Sequence, residues 1–207
     1  IPEIILSIGV MIIILFDLFF QKQKAISFTL VQFLLLIAAY YSLNNKFSSS
    51  YSAYALDEFT NIFKFILLVG SLTIFHYTYK HLKFLKILKI EYFTISLLGL
   101  IGTMIMISAN SLLMLYLGIE LLSLSLYAVI GFNKKSSLSS EAAIKYYVLG
   151  AMSSGILLFG ISLIYGFTGS IAYDDIASQL INVDMNSVDY IAIIFGIIFI
   201  TASLCFK

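Results

Sequence analysis

Seven apolar runs constrain this chain more than anything else in it. They fall at roughly 4–20, 25–43, 59–79, 92–108, 111–132, 142–166 and 189–207. A helix of about 20 apolar residues crosses about 30 Å of hydrocarbon, and no open sheet or irregular loop can do so. Of the 207 residues, 61% are hydrophobic and 11% charged. Soluble domains carry about 25% charged residues. The chain therefore reads as an all-α integral membrane protein of about seven transmembrane helices. Pro2 suits the first turn of the first helix. The loop Asn44–Ser50 is polar, Asn110 marks a tight turn, and Ser139 or Ser140 can cap the sixth span.

Loop charges support the same count. Loops after the first, third and fifth spans hold Lys22, Lys24, Lys80, Lys83, Lys86, Lys89, Lys134 and Lys135. The other loops hold Lys46 beside Asp57, Glu58, Asp174, Asp175, Asp184 and Asp189. Lysine-rich loops stay on the side of insertion, which predicts an N-terminus on the outer side.

Several function classes drop out. The net charge is +1, so bulk electrostatics favour no nucleic acid. One Cys (Cys205) and two His (His76, His81) do not make a zinc or iron–sulfur site by themselves, nor an internal disulfide. Nucleotide-binding glycine motifs are absent, and the N-terminus shows no secretory pattern. All 12 basic residues are Lys, and Trp is missing. That bias is similar to the output of an AT-rich genome, such as an organelle's.

Glu120 is the sole charge in the run Leu112–Ile130. A carboxylate at that depth costs roughly 2.5–3.5 kcal/mol on insertion scales, so it needs a partner or a use. It reads as part of an ion or proton pathway, or as a hydrogen-bonding strut between helices. Lys145 lies one turn after Glu141, as an ordinary surface pair or a functional cation. Lys207 ends the seventh run, where orientation rules also place a lysine. Lys64 is expected to snorkel to the outer interface, and Asp17 and His76 to be solvated or capping near the inner ends. The small residues Gly150, Ala151, Ser153, Ser154, Gly155 and Gly160 suit close helix packing. Nothing resembles a nucleophile–base pair.

Two stretches carry a resemblance. One is Leu115–Tyr127, reading LYLGIELLSLSLY; the other is Ser140–Gly166, opening SEAAIKYYVLGA. Both resemble membrane subunit 2 of the proton-pumping NADH:ubiquinone oxidoreductase, respiratory complex I. Pro2-Glu3, Asp57, Thr168-Gly169-Ser170 and Asp174-Asp175-Ile176 also fit, in order, over nearly the whole chain. The resemblance implies an antiporter-like subunit with inverted five-helix repeats, each containing a broken helix. It implies residues 1–91 as an N-terminal three-helix part and 92–207 as an incomplete first repeat, helices four to seven. It makes Glu120 the glutamate of the fifth helix, Lys207 its lysine partner in the seventh, and Lys145 the motif lysine of the sixth. Together they imply a proton relay.

The implied activity is proton translocation coupled to electron transfer from NADH to ubiquinone, as a subunit of an enzyme. NADH, FMN, iron–sulfur clusters and ubiquinone would sit on other subunits, with no cofactor in this chain. The implied partners are other membrane-arm subunits, membrane lipids and a second polypeptide completing the subunit, since the eighth helix and second repeat are missing. A split gene or a fragment accounts for that equally. The implied location is the mitochondrial inner membrane, with the N-terminus on the intermembrane-space side. Two alternatives stand beside this reading: a Na⁺/H⁺ antiporter or membrane-bound hydrogenase subunit, and a purely structural assembly subunit.

Overall fold

The structure is a computed structural model that describes residues 2–19, 24–44, 49–51, 53–85, 87–181 and 188–207, the side chains of 49–51 and 188–190 excepted. Lys22, Lys46, Lys86, Asp184 and residues 45–48 of the polar loop lie outside the described residues, as does the Asp189 side chain. The elements run α1 (Pro2–Phe19), α2 (Lys24–Asn44), β1 (Ser49–Tyr51), β2 (Tyr54–Leu56), α3 (Glu58–Phe84), α4 (Ile90–Ile107), α5 (Leu112–Ile130), α6 (Ser137–Thr168), α7 (Tyr173–Ile181) and α8 (Val188–Phe206). Six of these helices, α1 to α6, are long and apolar enough to cross a membrane, and α8 is apolar over Ile191–Phe206. The chain is an all-α, multi-pass membrane protein.

Burial fits that setting. Large apolar side chains stay on the outside, among them Met11, Phe33, Phe59, Ile74 and Ile144. What is buried is the helix–helix seam. Leu6, Val10, Val31, Leu35, Leu68, Phe93 and Leu97 form a first core joining α1 to α4. Leu112, Ile119, Leu157, Ile161, Ile164 and Ile176 form a second, joining α5, α6 and α7.

Small residues join the halves. Where α4 meets α5, a methyl group on Gly102 would stand 2.7 Å from the Leu122 nitrogen and 2.9 Å from the Gly118 oxygen. The two backbones approach that closely because neither position carries a side chain. A similar crossing brings Gly160 of α6 against Gly196 of α8. Ser153 and Ser203 reinforce it, each hydroxyl donating to the other's carbonyl at 2.9 and 2.7 Å.

Three local expectations change. The sixth span begins earlier, at Ser137, because the Ser136 hydroxyl accepts from the Ser139 amide at 3.3 Å. Ser139 and Ser140 are thus inside the helix and not its caps. It runs to Thr168 and stops where Gly169 adopts a left-handed φ of 65°, a conformation glycine takes at little cost. The segment before α3 contains a hairpin, with Ser49 paired to Leu56 and Tyr51 to Tyr54. The acidic segment after Ala172 forms the short helix α7.

The turn at Asn110 is held from both sides. Its amide donates to the Ala53 carbonyl at 3.1 Å, and its carbonyl accepts from the Tyr173 amide at 3.3 Å. The hairpin, the α4–α5 turn and the start of α7 therefore gather at one end of the bundle.

The α4–α5 seam gives a direct test. Gly102→Ala should lower thermal stability in detergent by about 1–3 kcal/mol, the usual cost of overpacking. Gly70→Ala, where a methyl group meets nothing within 4 Å, should leave the midpoint unchanged or slightly raised, as helix propensity favours Ala.

Candidate functional site

Three helices converge on one buried polar cluster. Glu120 lies eight residues into α5, about 12 Å along its axis from Leu112. Ser154 is midway along α6, and Lys207 directly follows α8. The crossings described above set their distances. Between α5 and α6 the approach is again made at a glycine: a methyl group on Gly150 would collide with the Tyr127 ring and hydroxyl.

The Lys207 ammonium stands 2.7 Å from Glu120 Oε1 and 2.9 Å from Ser154 Oγ. The Ser154 hydroxyl is 2.5 Å from the same carboxylate oxygen and 3.0 Å from the Gly150 carbonyl. With one proton, that hydroxyl can donate to one of the two while accepting from Lys207. The side chains are 10% exposed at Lys207 and 24% at Glu120. A cavity of about 230 Å³ opens beside the lysine, lined by Tyr146, Leu149, Gly150, Phe206 and Lys207. Tyr127 stands edge-on to Tyr146, with ring centroids 4.9 Å apart.

Chemically, the cluster is a carboxylate, a hydroxyl and an ammonium in one hydrogen-bonded triangle. Every member can gain or pass a proton.

The three sequence-derived residues are not all in this cluster. Glu120 and Lys207, 87 residues apart, meet. Lys145 does not join them. It pairs with Glu141 at 2.5 Å, and both side chains are well exposed, at 70% and 58%. Nine residues separate it from Ser154, about 13 Å along the helix.

Ser154 is the residue that sequence reasoning passed over. It reads as one small residue in a run of them, and only its neighbours across the bundle give it a partner.

A second charged cluster corrects an expectation. Lys64 does not snorkel; it is fully buried, 2.6 Å from Glu3 Oε1. It also donates to the Tyr54 hydroxyl at 3.0 Å and lies 5.0 Å from that ring's centroid. Local sequence places Lys64 one turn inside a helix, where a long flexible stem normally reaches water. The hairpin and the first turn of α1 close that route and supply a counter-charge instead. Burial and the Glu3 charge push the Tyr54 phenol well above its ordinary pKa, so its hydroxyl keeps its proton.

Comparison with known proteins follows the geometry. Residues 109–207 match the NADH:quinone oxidoreductase/Mrp antiporter transmembrane family. All of this chain aligns with NADH-quinone oxidoreductase subunit N of Ruthia magnifica subsp. Calyptogena magnifica, 37% identical over 211 residues and covering 44% of that protein. Two solved structures share the fold over 99% of this chain and 43% of theirs. Respiratory complex I from Thermus thermophilus with bound aureothin has a TM-score of 0.74 at 21% identity. An archaeal membrane-bound sulfane sulfur reductase has a TM-score of 0.82 at 20% identity.

The fold and the family match thus place this chain in the antiporter-like class of membrane proteins. Within that class, the chain belongs to the NADH:quinone oxidoreductase/Mrp antiporter family and aligns with its subunit N members. It spans less than half the length of the curated relatives it matches.

The Glu3–Lys64 pair carries its own prediction. Lys64→Leu leaves a buried carboxylate uncompensated and should destabilise the protein by about 3–5 kcal/mol. The double variant Glu3→Leu/Lys64→Leu should recover most of that loss. Thermal unfolding of the purified protein in detergent reads both values.

Proposed function

We propose that this chain is part of a membrane-arm subunit of proton-pumping NADH:ubiquinone oxidoreductase, and that Glu120, Ser154 and Lys207 form a station of its proton relay. The observation that carries the reading is the Lys207–Glu120 ion pair joining α8 to α5. Its support from outside the chain is the alignment of this whole chain with 44% of a subunit N protein.

In this reading, residues 1–91 are an N-terminal three-helix part and 92–207 the start of an antiporter-like repeat. Lys145 is a second station, linked to the first through water and not by contact. NADH, FMN, iron–sulfur clusters and ubiquinone belong to other subunits of the assembly. The partners are neighbouring membrane-arm subunits and a further polypeptide segment supplying the length that the relatives have beyond this alignment. The setting is the mitochondrial inner membrane, with the N-terminus facing the intermembrane space.

The relay works by electrostatics. Redox energy from elsewhere shifts the helices, the pair opens, and Glu120 takes up a proton that closure returns. Moving one charge fully across the membrane costs about 2.3 kcal/mol per 100 mV, so the drive must come from that redox reaction. Ser154, touching both charges, passes the proton without carrying a charge itself.

Replacement of Glu120 is the test. Glu120→Gln should assemble and should lower protons moved per NADH oxidised by about tenfold or more, in the range lost with other proton-transfer groups. Proteoliposomes containing the whole complex, read by a trapped pH dye alongside NADH oxidation, give the ratio. Normal pumping per NADH would end the relay assignment and leave the structural role. Transport that runs on a sodium gradient without NADH would favour the antiporter alternative.

A further inference from the structure

At the end of the bundle away from the hairpin, a cleft of about 540 Å³ opens between α1, α2 and α4. Among the described residues, four charged groups line it: Asp17 near the end of α1, Lys24 at the start of α2, and Lys89 and Glu91 at the start of α4. Asp17 lies 14 residues after Glu3, about 21 Å along α1, which places the cleft at the opposite membrane surface. Its lip on α1 is apolar, with Ile14 47% and Leu18 66% exposed.

The charges balance, yet they do not pair with one another. Among the described residues, no ion pair joins any two of the four. The Lys24 ammonium donates instead to the Leu88 carbonyl at 2.8 Å. The Lys89 ammonium lies 5.8 Å from the Phe132 ring centroid. Asp17 accepts from the Ser27 hydroxyl at a long 3.5 Å and feels the charges of both Glu91 and Lys24 nearby. Two carboxylates and two ammonium groups thus line one cleft, with hydrogen-bonding capacity beyond the contacts above. A lysine keeps three N–H donors, and one carbonyl contact uses a single one.

We propose that this cleft binds the headgroup of a phosphatidylethanolamine-type lipid. Its phosphate bridges Lys24 and Lys89, its primary ammonium sits between Asp17 and Glu91, and its acyl chains lie along Ile14 and Leu18. The reasons are charge, donors and place. An anionic headgroup would satisfy the lysines and repel both carboxylates. A choline headgroup carries the right charge but has no N–H to give the carboxylates. A zwitterion with a primary amine satisfies both pairs at once, with strong charge-assisted bonds at each end. Basic pockets between helices at a membrane surface are known to hold lipid headgroups, and the volume falls in the range of small-ligand sites. The site is separate from the Glu120 cluster, and its lipid would be held whether or not that cluster moves protons.

The experiment uses the purified membrane assembly that contains this chain. After delipidation it is titrated with phosphatidylethanolamine, phosphatidylcholine or phosphatidylglycerol of identical acyl chains, and retained lipid is counted by native mass spectrometry. The phosphatidylethanolamine should be retained about tenfold better than either of the others. Asp17→Asn/Glu91→Gln should abolish that preference over choline, and Lys24→Arg/Lys89→Arg should keep it. Equal retention of all three lipids by the unaltered assembly, or a preference for phosphatidylglycerol, overturns the proposal without needing any variant. Soluble phosphoethanolamine serves as the competitor; displacement at lipid-like concentration would make the ligand a free phosphate amine and overturn the lipid assignment.

Discussion

A charge held within hydrocarbon must find its opposite, and most of this bundle's polar architecture follows from that requirement. Glu120 can reside in α5 because α8 delivers Lys207 to it and α6 delivers Ser154. Those deliveries depend on close backbone approach. Gly160 against Gly196 sets α8 on α6, and Gly150 lets Tyr127 of α5 reach α6. Without a hydrophobic drive between helices in lipid, such small-residue crossings and interhelical hydrogen bonds are what hold the bundle.

The same requirement is met differently at the two charge pairs. Lys64 is fully enclosed beside Glu3, and Tyr54 with a firmly held proton closes over it. That arrangement ties the hairpin and α1 to α3. The Lys207–Glu120 pair is partly open, next to a cavity that a few waters could fill. The two pairs share their residue types, Lys and Glu, and differ in setting.

The apolar packing falls into two cores. One knits α1 to α4 and the other α5 to α7, with the glycine seam of α4 and α5 between them. The polar cluster lies where α5, α6 and α8 meet.

Span number and approximate position were legible in the residues, because hydrophobic length is a local property that bilayer thickness measures. The isolation of Glu120 was legible for the same reason. The resemblance supplied its partner, since nothing in the local sequence of Cys205-Phe206-Lys207 distinguishes a buried counter-ion from an interfacial lysine. Lys64 shows the limit most clearly: one turn inside a helix, it reads as a snorkelling side chain until the hairpin and Glu3 are seen above it. Ser154 reads as packing, and Lys145 reads equally as a surface pair or a relay residue. What the sequence by itself determined was which segments enter the membrane and that one of them carries a charge needing an answer. The tertiary structure alone decided that Ser154 joins Glu120 and Lys207 while Lys145 does not and that Lys64 is enclosed, because contact across helices depends on crossing points between segments up to 87 residues apart, and no local pattern encodes those.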